Sequence, residues 1–155
     1  MKRGYMPEAI TTEWYTPPEL FAELDQEFNF TLDPCATPQS ALCDKYLTKA
    51  DSGLSKIWSG RVFMNPPYGR GLNKWVKKAY DSVRSSEAEL VVALIPSSTE
   101  TLWFHEFIYP DKAEIRFLKG RVKFLQRCRI TGNPIHYAGT ATKGSMVVIW
   151  RREVS

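Results

Sequence analysis

Apolar residues recur along this chain with two periods, and stretches of the two periods alternate. In "TPPELFAELDQEF", Leu20, Phe21, Leu24 and Phe28 return every three or four positions, the spacing of one helical face. Thr16 is expected to cap that helix, with Pro17 at its first position, where a backbone N–H is not needed. In "LNKWVKKAYDSVRSS", Leu72, Trp75, Val76, Ala79, Tyr80 and Val83 form a second apolar stripe, with lysines between them. "TETLWFHEFIY" predicts a third helix capped by Thr99. "FNFTLDP", stopped by Pro34, and "RVFM" read as short strands. "LVVALIP" is a continuous apolar run, as expected of a strand buried on both faces of a sheet. "AEIRFLKG" and "SMVVIWRRE" predict two more strands. Residues 35–58 are irregular apart from two short helical pieces. Residues 126–144, "QRCRITGNPIHYAGTATKG", show no periodicity and read as a long loop rich in glycine and basic side chains.

Strands alternating with helices from residue 17 to about residue 118 predict an α/β fold with a mainly parallel sheet and an antiparallel strand at the C-terminal end. Ligands in such sheets sit beyond the carboxyl ends of the strands. Asp33-Pro34, Asn65 to Tyr68 and Pro96 to Thr99 each follow a predicted strand, so all three loops are expected at one edge.

Composition narrows this picture. The chain has 155 residues, 43% of them hydrophobic and 13% aromatic, which suits one domain over residues 1–155 and leaves no room for a large separate target-recognition domain. A net charge of +4 is compatible with a nucleic-acid partner without establishing one. Three cysteines without a C-x-x-C pair argue against a disulfide framework or a zinc ribbon. Free thiols suit the cytoplasm. His105 and His136 belong to no metal-ligand pattern, so no metal is expected. "MKRGYMPEAI" lacks the apolar core of a signal peptide, and no stretch is long enough to span a bilayer.

The candidate chemistry lies in "VFMNPPYGRG", where a strand runs into Asn65-Pro66-Pro67-Tyr68. The amine of an aromatic base such as adenine is a poor nucleophile, because its lone pair is delocalised into the ring. It becomes reactive when acceptors hold both N–H bonds in a geometry that favours tetrahedral nitrogen. Asn65 Oδ1 supplies one acceptor, and the Pro66 carbonyl, stiffened by its neighbouring proline, supplies the other. Tyr68 offers a flat face on which a base can stack. This chemistry needs no metal and no covalent nucleophile.

"NPPY" after a strand resembles the catalytic motif of amino-methyltransferases that use S-adenosylmethionine. Together with "EWYTPPELFAELDQEFNFTLDPCA", "CDKYLTKADSGLSKIWSGRVFMNPPYG", "ALIPSSTETLWFHEFI" and "AEIRFLKGRVKF", it makes the chain similar to the small phage-type DNA N-6-adenine methyltransferases over about residues 13–125. The resemblance implies a compact Rossmann-like methyltransferase fold, S-adenosylmethionine as cofactor, DNA as substrate and a setting in phage genomes or restriction–modification. If the gene is a phage gene, the protein acts in the host cytoplasm, with no membrane and no obligate protein partner. Position by position, the resemblance implies that Thr16 and Pro17 help hold the methionine end of the cofactor. Asp33, Cys35 and Ala36 lie in the cofactor loop, with Asp33 meeting the ammonium, and Asp51 contacts the cofactor's adenine. Asn65, Pro66 and Tyr68 are catalytic. Pro67 belongs to the substrate side, Phe124 offers a second face to the flipped base, and Arg121 stands beside it in "GRVKF".

Other readings stay open. Asp33 and Asp51 also suit local capping roles. No glycine occurs in "DPCATPQSALC", where many methyltransferases have a glycine-rich loop, and Asp44 is the nearest acidic residue for ribose hydroxyls. Lys74, Lys77 and Lys78 read as a solvated helix face. Arg127, Arg129 and Lys143 are the better candidates for phosphate, and Trp14 and Trp103 read as core. The alternative acceptors are RNA or a protein glutamine amide. A non-catalytic nucleic-acid-binding domain is the alternative function.

Overall fold

The computed structural model describes residues 10–128, 134–136 and 143–153. Its centre is a six-stranded mixed sheet. In chain order its strands are β2 (Leu32–Asp33), β3 (Lys45–Tyr46), β4 (Gly60–Met64), β5 (Ala88–Pro96), β6 (Glu114–Phe117) and β9 (Ser145–Arg151), and their order across the sheet is β3-β2-β4-β5-β9-β6. The β3–β2, β2–β4 and β4–β5 pairings are parallel, whereas β9 runs antiparallel to both β5 and β6. A three-stranded antiparallel sheet joins β1 (Ile10–Tyr15), β7 (Leu125–Cys128) and β8 (Pro134–His136).

Burial explains why β5 reads as a continuous apolar run. Val91, Ala93 and Ile95 belong to one core cluster, with Val76, Ala79 and Val83 of helix α2 (Leu72–Arg84). Val92 and Leu94 belong to another, with Leu24 and Phe28 of helix α1 (Pro18–Phe28). Successive side chains of a strand point to opposite faces, so a strand covered on both sides has no polar positions to alternate. Both helices bury the stripes that the sequence predicts, each buried aliphatic side chain stabilising by about 1.5–3 kcal/mol.

Several local expectations need correction. Pro17 is the N-cap of α1 and Pro18 opens it, with no side-chain cap, and the Thr16 hydroxyl is used elsewhere. The first predicted strand shrinks to Leu32–Asp33. The "TETLWFHEFIY" segment is not a regular helix but centres on a π-helical turn, Phe104–Ile108. Thr101, not Thr99, caps it: the Phe104 N–H donates to Thr101 Oγ1 at 3.4 Å, and that hydroxyl donates to the Ser98 carbonyl at 2.8 Å. Pro110 stops the helical path within a turn, and the wider turn lets Phe104 and Ile108 both reach the core. The predicted loop at 126–144 contains β7 and β8. Such short strands show no legible alternation, and the partner of β7 is β1, near the other end of the chain.

Candidate active site at the carboxyl edge of the sheet

Parallel pairing of β2, β4 and β5 puts their carboxyl ends side by side. A cleft of about 1160 Å³ opens there, with Asp33, Cys35 and Ala36 after β2 and Asn65, Pro66, Pro67 and Tyr68 after β4 on its walls. Thr16 and Pro18 line it as well, while Pro17 does not. Cavities that hold one small ligand run from about 300 to 1,000 Å³, so this cleft has room for more than one.

Asn65 is held by the segment that leads into α1. Its Nδ2 donates to the Trp14 carbonyl at 3.2 Å and to Thr16 Oγ1 at 3.1 Å. Both amide hydrogens are thereby engaged, and Oδ1 is left as the group able to accept. The small β1 sheet, which the hydrophobic pattern does not announce, therefore has a role here: its last residues orient the amide.

Tyr68 is split between two environments. Its hydroxyl lies against β5, where it donates to the Leu94 carbonyl at 3.4 Å, and burial pushes its ionisation well above the usual range. The residue is nonetheless 39% exposed and lines the cleft. A pinned, neutral hydroxyl with an exposed ring is what a stacking platform requires. Phe124 is fully buried and packs edge-on against both Tyr68 and Trp14, at ring-centroid separations of 5.9 and 5.5 Å. A ring without exposed surface has no face to offer a base, so Phe124 backs the platform rather than forming a second one. Trp14, expected in the core, is only partly buried and lines the cleft.

Asp33 ends β2 with 4% of its surface exposed. Its carboxylate accepts from the Cys35 N–H at 3.2 Å and the Leu42 N–H at 3.3 Å. Burial outweighs these bonds and pushes its pKa up to about 6. Burial and the Asp33 charge also raise the thiols of Cys35 and Cys43, the latter to about 12. Both stay protonated at neutral pH and are unsuited to nucleophilic work.

Asp51 is exposed and does not line the cleft. Its Oδ2 accepts from the Thr48 N–H at 2.8 Å and from Thr48 Oγ1 at 3.0 Å, closing the 3₁₀ turn Lys49–Asp51. The capping role is the one its geometry supports, and Thr48 and Lys49 beside it do line the cleft. Asp44 is exposed and also absent from the walls. Among residues that the sequence pattern does not single out, Gly53 matters most. A Cβ there would sit 2.8 Å from the Pro34 carbonyl and 3.2 Å from the Trp75 ring. A lone glycine in "ADSGL" is the available signal for such a close approach.

Arg121 and Lys143 are exposed. Arg127 lies in β7, with only its backbone described, and Arg129 is outside the described residues. Lys77 pairs with Asp81 at 2.6 Å, and Lys78 lies over the Trp58 ring, in keeping with a solvated helix face. His105 is exposed and held by the Thr99 carbonyl at 2.8 Å. Among the described residues no three His, Cys, Asp or Glu side chains gather as a metal site, and no helix is long and apolar enough to cross a membrane.

The molecule is therefore an α/β protein with a cleft at the carboxyl ends of adjacent parallel strands. It belongs to the DNA N-6-adenine-methyltransferase (Dam) family, whose model matches residues 4–154. It is 30% identical over 103 residues to a DNA N-6-adenine-methyltransferase of Escherichia phage T1, a match covering 64% of this chain and 42% of the relative. It is also 30% identical over 115 residues to the protein of the same description from Haemophilus phage HP1 (strain HP1c1), covering 72% of this chain and 65% of the relative. The matches thus span less than two thirds of either relative's length.

Proposed function

We propose that this protein transfers a methyl group from S-adenosylmethionine to the N6 amine of adenine in DNA, with the base turned out of the helix into the Asn65–Tyr68 end of the cleft. The observation that carries the reading is the Asn65 amide, oriented by Trp14 and Thr16 so that only its oxygen is left to accept. Membership in the DNA N-6-adenine-methyltransferase family supports the reaction and the acceptor. The parallel run β3-β2-β4-β5 with antiparallel β9 inserted beside it supports a compact Rossmann-like fold in one domain.

Asn65 Oδ1 and the Pro66 carbonyl accept the two N–H bonds of the target amine, which draws its lone pair out of conjugation. Tyr68 stacks on the ring and fixes its plane. Water exclusion by the apolar walls strengthens both contacts. The cofactor supplies an electrophilic methyl group. Its ammonium suits Asp33, a buried carboxylate with two backbone donors and no ion-pair partner among the described residues. Thr16, Cys35, Ala36 and the turn at Thr48–Lys49 complete that end of the cleft. DNA phosphates would meet Arg121, Arg127, Arg129 and Lys143.

Labelled S-adenosylmethionine, offered separately with DNA, RNA and protein, tests the proposal. Label in N6-methyladenine of DNA is the expected result. Label confined to RNA or to a glutamine side chain, or no transfer at all, overturns it.

A further inference from the structure

A second cavity of about 420 Å³ adjoins the cleft. Trp14 and Tyr68 line both, but neither Asn65 nor Asp33 lines the smaller one. Its occupant therefore stands next to the target base without being the group that reacts. Trp103 supplies an aromatic wall, Ser98 and Thr101 supply hydroxyls, and Lys143 supplies a cation at the rim.

Three features mark this as a built site. Ser98 is 8% exposed and lines the cavity, where its hydroxyl can meet a ligand. Thr101 is already committed to the Ser98 carbonyl at 2.8 Å, which leaves Ser98 as the hydroxyl to read a ligand. Lys143 is positioned by the backbone: the Ser97 N–H donates to the Gly144 carbonyl at 3.0 Å, tying the start of β9 to the loop after β5. Lys143 has no ion-pair partner among the described residues. Aromatic side chains, a hydroxyl and a cation at the mouth match a nucleotide: base faces stack, a base edge offers a donor or acceptor, and the phosphate is anionic.

Resting on the DNA reading above, we propose that this cavity binds the nucleotide adjacent to the target adenine, with its base against the Tyr68–Trp14 side, its edge read by Ser98 and its phosphate at Lys143. The cavity is thus a specificity site.

Fluorescence anisotropy with oligonucleotides carrying one adenine tests this. The residue on either side is varied through the four bases and an abasic residue. An abasic neighbour on one side is expected to weaken binding by roughly tenfold or more. Ser98→Ala should level the preference among bases at that position by roughly tenfold, with folding verified by circular dichroism and cofactor affinity unchanged. Lys143→Ala should weaken binding equally for all bases. Equal affinity for abasic and intact neighbours, or a preference that survives Ser98→Ala, overturns the assignment. Because binding is read without methyl transfer, a protein that loses affinity on abasic substitution yet methylates no adenine overturns the reaction and keeps the subsite. One that methylates adenine but ignores its neighbour does the reverse.

Discussion

Asn65 Nδ2 donates to Thr16 Oγ1 at 3.1 Å, joining the motif that follows β4 to the turn that precedes α1. Forty-nine positions separate the two residues, yet the orientation of one depends on the other. A primary amide has an accepting and a donating end. Only a partner that engages the donating end turns the oxygen into the cleft.

Removing the amide should stop the reaction without emptying the cofactor site. Asn65→Ala is expected to lower kcat by about 10²–10³, the usual loss for one preorganised transition-state interaction. S-adenosylmethionine affinity, measured by calorimetry, should hold. Thr16→Val should lower kcat by a smaller factor, roughly 3- to 10-fold, because it removes one neutral hydrogen bond to the amide. Near-normal turnover of a folded Asn65→Ala protein would end the proposed mechanism.

Asp33 predicts a pH dependence with a definite sign. Its pKa in the fold is about 6 against 3.8 for the free group, so folding favours its protonated form. Its contribution to stability is full below the free value and is lost as pH rises through about 6. Ligand-free protein therefore carries a buried charge at neutral pH that a cation would relieve. Cofactor affinity should fall as pH drops through 6, and Asp33→Asn should flatten that profile and weaken binding by about 1.5–3 kcal/mol. Calorimetry across a pH series on both proteins decides the point. Equal affinity for both at pH 8 would move the ammonium elsewhere.

Gly53→Ala should destabilise the fold and loosen the cofactor site together. The added Cβ meets the Pro34 carbonyl at 2.8 Å, and backbone cannot swing aside as a flexible side chain can. A cost of about 1–3 kcal/mol is expected, read from chemical denaturation. A weaker cofactor Kd should accompany it, because Pro34 and Gly53 both line the cleft. A variant as stable as the parent would show that the loop after β2 shifts freely.

Neutralising Arg127, Arg129 and Lys143 together should weaken binding to DNA of any sequence. The slope of log affinity against log salt should flatten by up to about 0.9 for each duplex phosphate that is no longer neutralised. Cofactor affinity should stay unchanged. Parallel salt slopes and equal affinities would assign those charges to solubility, leaving the Lys74, Lys77 and Lys78 face as the next candidate.

Strong patterns in the amino-acid sequence determined the frame of this protein. The α1 and α2 stripes, the two-sided burial of β5 and the placement of Asp33 and Asn65 after parallel strands all follow from periodicity and from proline stops, because burying a helix face or a sheet face demands a regular apolar repeat. The "NPPY" stretch also suggested the chemistry proposed here. Tertiary structure alone decided what depends on partners distant in the chain. Pairing of β1 with β7 brings Trp14 to Asn65 and Phe124 beneath Tyr68. The segments of that sheet, ITTEWY, LQRC and PIH, show no regular alternation of apolar and polar residues. Asp51 looked like a ligand residue because a carboxylate in a turn carries the same signature whether it binds a ligand or a neighbouring N–H, and only the position of Thr48 separates the two. Phe124 likewise looked available until packing covered it, since an aromatic side chain reads the same in sequence whether its face meets solvent or another ring.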